Sequence, residues 1–133
     1  MRYLYGSFVG AVLMISAALA QTRTVVFNEI MWMGSSSGYT DEWIELRNTT
    51  SDTIDISGWY ITKKLSGGGE DTILTIPQGM FILPYNVFLI ARKDSGDSKI
   101  NVKPDLISSF GIPNDDLQLK LYAVDGTDTV LID

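Results

Sequence analysis

The sequence predicts an all-β, immunoglobulin-like sandwich of about seven to nine strands, set behind a helical export leader. Three observations carry that expectation. Beyond residue 20, apolar residues recur at every second position in short runs separated by Gly, Pro, Asn, Asp and Ser, the period of a strand with one buried face. No window of that region sustains the 3.6-residue period of an amphipathic helix. Trp59 falls in a mid-chain strand candidate, where an indole can fill the gap between two sheets.

Thr24 to Met33 (TVVFNEIMWM) is dominated by β-branched and aromatic residues and is the first strand candidate, broken by the loop Gly34-Ser35-Ser36-Ser37-Gly38. Glu42 to Asn48 (EWIELRN) alternates, with Ile44 and Leu46 on the core side and Trp43, Glu45 and Arg47 on the other. A turn at Thr49 to Asp52 leads to Ile54 and Ile56, then through Ser57-Gly58 to the strand Trp59 to Thr62. Lys63 to Asp71 reads as a polar hairpin-like loop around Gly67-Gly68-Gly69. Ile73 to Ile76 follows, ended by Pro77 and Gly79, and the short Met80 to Leu83 run closes at Pro84-Tyr85-Asn86. Val87 to Ala91 (VFLIA) is apolar throughout, as expected of a central strand covered on both faces. Arg92 to Lys103 is expected to be a solvated loop, and Leu106 to Phe110 a weak strand. Leu117 to Ala123 (LQLKLYA) alternates again, Asp125-Gly126 signals a hairpin turn, and Thr129 to Ile132 is the return strand.

Arg2 is the sole charge before Arg23, and residues 3–20 are apolar or small, ending in Ala18-Leu19-Ala20. That small-x-small ending is what signal peptidases accept, so residues 1–20 are expected to be a signal peptide and 21–133 the mature domain, secreted or displayed at the cell surface. The rival is an uncleaved anchor, since about 18 apolar residues lie at the lower edge of a bilayer span; cleavage would leave no stable span. The chain ends at Ile132-Asp133 within an expected strand, which leaves a longer parent protein open. Without Arg2, nine Lys and Arg face sixteen Asp and Glu, a net charge of −7. Lys63-Lys64 and Arg92-Lys93 are pairs, too small to form a basic patch on an acidic surface, so nucleic acid is not an expected partner. There is no cysteine, so neither a lipoprotein anchor nor disulfides can contribute, and stability must come from burial. There is no histidine, which removes the commonest general base and zinc ligand.

Val26-Phe27-Asn28-Glu29-Ile30, Asp41 to Asn48 (DEWIELRN) and Ile56-Ser57-Gly58-Trp59-Tyr60-Ile61 resemble the lamin tail domain family, with its WIEL-x-N strand and its Gly-Trp entry into a later strand. Weaker similarity runs through Ile76-Pro77, Val87 to Ile90, Leu117-Gln118-Leu119 and Asp125-Gly126 to Asp133, so it spans nearly all of the mature chain. The resemblance implies an immunoglobulin-like sandwich that binds partners. Nuclear members follow a coiled-coil rod; here an export leader stands in its place, as in exported bacterial relatives, and nuclear roles are not carried over. The family supplies no catalytic residues to transfer.

Four carboxylates, Glu29, Asp41, Glu42 and Glu45, form the main acidic grouping. On adjacent strands such groups could serve as an acid and base pair for glycoside hydrolysis or as oxygen ligands for Ca²⁺, the one cofactor the sequence suggests. The structural alternative is that Glu42 lies beside a loop while Glu29, Asp41 and Glu45 accept backbone or Arg47 hydrogen bonds at the strand edge. Trp32, Tyr39 and Trp43 surround the Ser/Gly loop and are the candidate binding residues. The structural alternative is a two-sided strand whose second face packs under the loop, or a single exposed aromatic without a role. Trp59, Ile44 and Leu46 are expected core. Ser35 to Ser37 lack a histidine or an S-x-x-K partner, and Gly67 to Gly69 lack the G-K-[ST] ending of a phosphate loop. Asn48-Thr49-Thr50 is a formal glycosylation sequon, with a left-handed strand-ending Asn as its structural alternative. The expected function is a non-catalytic adhesion, scaffolding or ligand-recognition module whose partner is a protein or cell-surface polysaccharide. The alternative is an accessory or catalytic domain of an extracellular hydrolase. Truncating Tyr39 and Trp43 is expected to weaken binding and leave the thermal midpoint nearly unchanged.

Overall fold

The computed structural model describes residues 23–115 and 117–133, so the expected leader lies outside the described residues. Within them the chain forms β1 (Val25–Met31), β2 (Trp43–Asn48), β3 (Ile54–Asp55), β4 (Tyr60–Lys64), β5 (Glu70–Thr75), β6 (Phe81–Ile82), β7 (Val87–Ala91), β8 (Leu106–Ile107), β9 (Leu119–Asp125) and β10 (Asp128–Leu131). One sheet has the order β1-β2-β7-β8, a second β10-β9-β4-β5, and β3 pairs with β6 in a two-stranded ribbon. No helix occurs among the described residues. Ten strands stand where about seven to nine were expected: β6 and β8 fall within the expected Met80 to Leu83 and Leu106 to Phe110 runs, and β3, two residues long, is too short to show a period in sequence.

The two sheets face each other across one core. Val25, Ile44, Leu46, Phe88 and Ile90 from the first sheet meet Ile61, Leu74 and Leu121 from the second, with Ile56, Trp59, Ile76, Ile82, Phe110 and Ile112 filling between. Burying each large aliphatic side chain contributes roughly 1.5–3 kcal/mol, and Ile44, Leu46, Ile61, Ile90 and Leu121 are fully enclosed. Trp59 is core, as expected, at 7% exposure, although it sits one residue before β4. Gly58, at φ +75°, makes the sharp entry that turns the indole inward. The flanking backbone is closed by Gly58 N–H to Ile76 O (2.9 Å), Trp59 N–H to Ile56 O (3.1 Å) and Ile76 N–H to Trp59 O (2.7 Å).

β7 is central, with four of its five residues buried. It pairs antiparallel with β2 and parallel with β8. A parallel pair needs a long crossover to return the chain in the same direction, and residues 92–105 provide it. Asp105 fastens its far end: Leu89 N–H donates to the carboxylate (2.8 Å), and Asp105 N–H donates to Leu89 O (2.9 Å). The stretch expected to be a solvated loop therefore contains a packed residue, Ile100, which is buried against Leu89 and Ala91.

Candidate functional site

A single extra residue in β1 decides which side chains reach the surface. Register runs Phe27↔Leu46, then shifts, then Glu29↔Glu45, Ile30↔Ile44 and Met31↔Trp43. Asn28 is thus the bulged residue, and a one-residue insertion reverses the facing of everything after it. Phe27, Ile30 and Trp32 pack on the main core. Glu29 is left opposite Glu45 on the outer face of the first sheet, beside Trp43. On the next strand Leu89 lies opposite Glu45, and Ala91 opposite Trp43.

The crossover folds over this outer face and closes a cleft. Leu89 and Ile100 give it an apolar floor, Trp43 an aromatic wall, and Glu29, Glu45, Lys99 and Asn101 a polar rim around about 220 Å³. The indole is held by its own N–H, which donates to Glu29 Oε1 at 2.8 Å. Asn28 Nδ2 donates to Glu45 Oε1 at 2.5 Å.

Asp41 and Glu42 build the wall without lining it. Asp41 is 1% exposed and accepts hydrogen bonds from the hydroxyls of Ser35 and Ser98 and from Lys99 N–H (3.0 Å). Burial pushes its carboxyl up. Those three donors and the Lys93 charge outweigh that effect and hold it below the usual carboxylate value. Glu42 pairs with Arg92 (2.6 Å), whose N–H also donates to Glu42 O (3.0 Å). Lys93 Nζ donates to Ser37 O at 2.9 Å. The loop before β2 and the crossover are therefore one fastened unit. Gly34 makes its tight corner at φ +71°, where a Cβ would lie 2.6 Å from Gly38 O.

The Lamin Tail Domain family profile matches residues 18–133. The chain belongs to the lamin tail domain family. A search of curated proteins finds no match. The immunoglobulin-like sandwich observed here is the fold of that family, and lamin tail domains typically act as interaction modules and not as catalysts.

In this lamin tail domain the four expected acidic residues do not converge. Asp41 serves Ser35, Ser98 and Lys99, Glu42 serves Arg92, and only Glu29 and Glu45 share a face. Among the described residues no three acidic side chains gather as a metal site. The aromatic trio is divided as well. Trp32 packs on the main core, Trp43 packs on the small cluster of Leu89, Ala91 and Ile100, and Tyr39 stands alone at 85% exposure. Lys99, Asn101 and Val102 line the cleft and were not legible as site residues, because nothing in a polar loop signals which part folds back. Asn48 is fully buried with its amide engaged, so the sequon is closed to modification in the folded domain. Tyr85 is the one non-glycine at positive φ among the described residues, so Asn48 is not left-handed either.

Proposed function

We propose that this chain is an exported, non-catalytic interaction module that recognises its partner through the Trp43 cleft. One observation carries the reading: a half-buried indole, oriented by its hydrogen bond to Glu29, stands over an apolar floor with a polar rim. That combination is how recognition sites join contact area to orientation. At about 220 Å³ the cleft is smaller than the roughly 300–1,000 Å³ of sites that engulf whole ligands, so it suits one protruding group of a larger partner. The arginine-led apolar leader supports export. The dispersal of the acidic residues, together with the absence of histidine, supports a role in recognition over hydrolysis.

Two measurements test this. Mass analysis of protein recovered from the medium of expressing cells should give a mature N-terminus at Gln21; retention with an intact leader would overturn export. Trp43→Leu keeps apolar cover over Ile100 but removes the indole. The labelled variant should keep the β-sheet circular-dichroism spectrum and lose most of its retention on the surface of source cells. A folded variant that is retained like the parent would remove the cleft from the mechanism.

A further inference from the structure

We propose that the group entering the cleft is an arginine side chain of a protein partner, an inference that rests on the Trp43 cleft being the contact site. Glu29 and Glu45 are register partners on β1 and β2, so two carboxylates leave the same face of the sheet side by side. Like charges placed this way destabilise a strand pair, and no cation among the described residues is bonded to either. Each carboxylate is oriented by a neutral donor, the Trp43 indole on Glu29 Oε1 and the Asn28 amide on Glu45 Oε1. Neither takes part in an ion pair among the described residues. The Oε2 atom of each accepts no hydrogen bond there, leaving two anionic acceptors beside an aromatic wall. Lys99 on the rim adds one positive charge, so the three charged groups of the cleft still sum to a negative site.

A guanidinium meets each of these features. Its planar fork of N–H donors can bond two carboxylates, its charge offsets their repulsion, and its plane stacks on an indole. An ammonium would supply the charge without the plane. A neutral saccharide would stack but leave both carboxylates uncompensated. The mature charge of −7 favours encounter with a basic protein segment.

The test is titration of the purified protein with acetyl-Gly-Arg-Gly-amide, with the same peptide carrying neutral citrulline, and with cellotetraose, following the Trp43 indole N–H resonance. The arginine peptide should shift that resonance and the citrulline peptide should bind at least tenfold more weakly. Glu29→Gln and Glu45→Gln keep an acceptor for the indole and the amide, so both should fold, and each should weaken arginine binding about tenfold, equivalent to about 1.4 kcal/mol. Lys99→Gln should tighten it by about threefold. Equal binding of the citrulline peptide overturns the inference while leaving the cleft in place, as does a Trp43 shift produced by cellotetraose alone. Arginine binding that leaves Trp43 unmoved removes the cleft reading itself. No shift with any probe overturns the arginine assignment, and the Trp43→Leu surface assay then decides the cleft separately.

Discussion

Asn48 closes the WIEL-x-N segment, and its substitution measures how much one buried amide contributes to the fold. The side chain is completely enclosed. Its Nδ2 donates to the carbonyls of Asp52 (2.7 Å), Ile82 (3.1 Å) and Leu83 (3.1 Å), while its Oδ1 accepts from Thr50 N–H and Oγ1–H, each at 2.8 Å. The amide thereby ties the end of β2 to the turn after it and to the end of β6. Two amide hydrogens cannot fully serve three carbonyls, so about four effective bonds are made, each worth about 1 kcal/mol net. Several of the partners lie near the surface and regain water in Asn48→Ala, which brings the expected loss to about 3 kcal/mol. In a domain of this size that is a fall of about 10–15 °C in Tm. Urea unfolding followed by tryptophan fluorescence reads the loss directly, with the slope unchanged if both end states are intact. A loss under about 1 kcal/mol would refute the reasoning. Asn48→Asp sharpens the test, because it keeps the shape but replaces the donor that serves three carbonyls with an acceptor oxygen. Its carboxyl titrates higher folded than unfolded, so the native state holds more protons and stability falls as pH rises above about 4. Relative to the parent at each pH, the Asp variant should therefore be worst at neutrality; a deficit that shrank on raising the pH would contradict this.

Further outcomes follow from the loop and crossover. Because the Asp41 carboxyl is lowered, its contribution is complete above the unfolded value of about 3.9 and is lost as pH falls through the lower folded value. Asp41→Asn should thus flatten the acid limb of urea midpoints measured between about pH 2 and 5, and an unchanged limb would show that another group dominates it. Gly34→Ala places a Cβ 2.6 Å from Gly38 O and 2.7 Å from Tyr39 Cα at φ +71°, with backbone on both sides. A loss of about 2–3 kcal/mol in thermal unfolding is expected, and a parent-like midpoint would mean the corner is not held. Tyr39→Ala should alter stability by less than about 0.5 kcal/mol, whereas Trp43→Ala should lose about 2 kcal/mol because its indole packs on Leu89, Ala91 and Ile100. The double truncation expected from sequence to be thermally silent should therefore lower the midpoint, and calorimetry of the two single variants separates the contributions.

Alternation made the sandwich legible. Ile44 and Leu46 inward with Trp43 and Glu45 outward, the apolar β7 and the Gly58-Trp59 entry are consequences of backbone period and side-chain size that neighbouring residues state in full. The site was less legible because its geometry depends on Asn28. Continuing the strict two-residue period from Val25 places Glu29 inward and Trp32 outward, and the bulge reverses both. No residue type marks that insertion. The partner strand sets it, since Phe27 and Ile30 must both reach the core that Leu46 and Ile44 occupy.

The acidic residues show that closeness in sequence does not fix where a side chain goes. Asp41, Glu42 and Glu45 lie within five positions, yet each is sent somewhere different by the entry into β2. Asp41, before the strand, turns toward the crossover and caps its Ser98-Lys99 corner. Glu42 meets Arg92 where the crossover leaves β7. Glu45, within the strand, faces outward with Glu29. The first two spend their charge on partners inside the molecule, and those bonds hold the segment that carries Lys99 and Ile100 over Trp43. The other two are oriented by neutral donors and enter no ion pair among the described residues. Removing the charge at Asp41 should therefore disturb the cleft through its wall and change stability as well, whereas removing it at Glu29 or Glu45 should change recognition and leave the fold as it is.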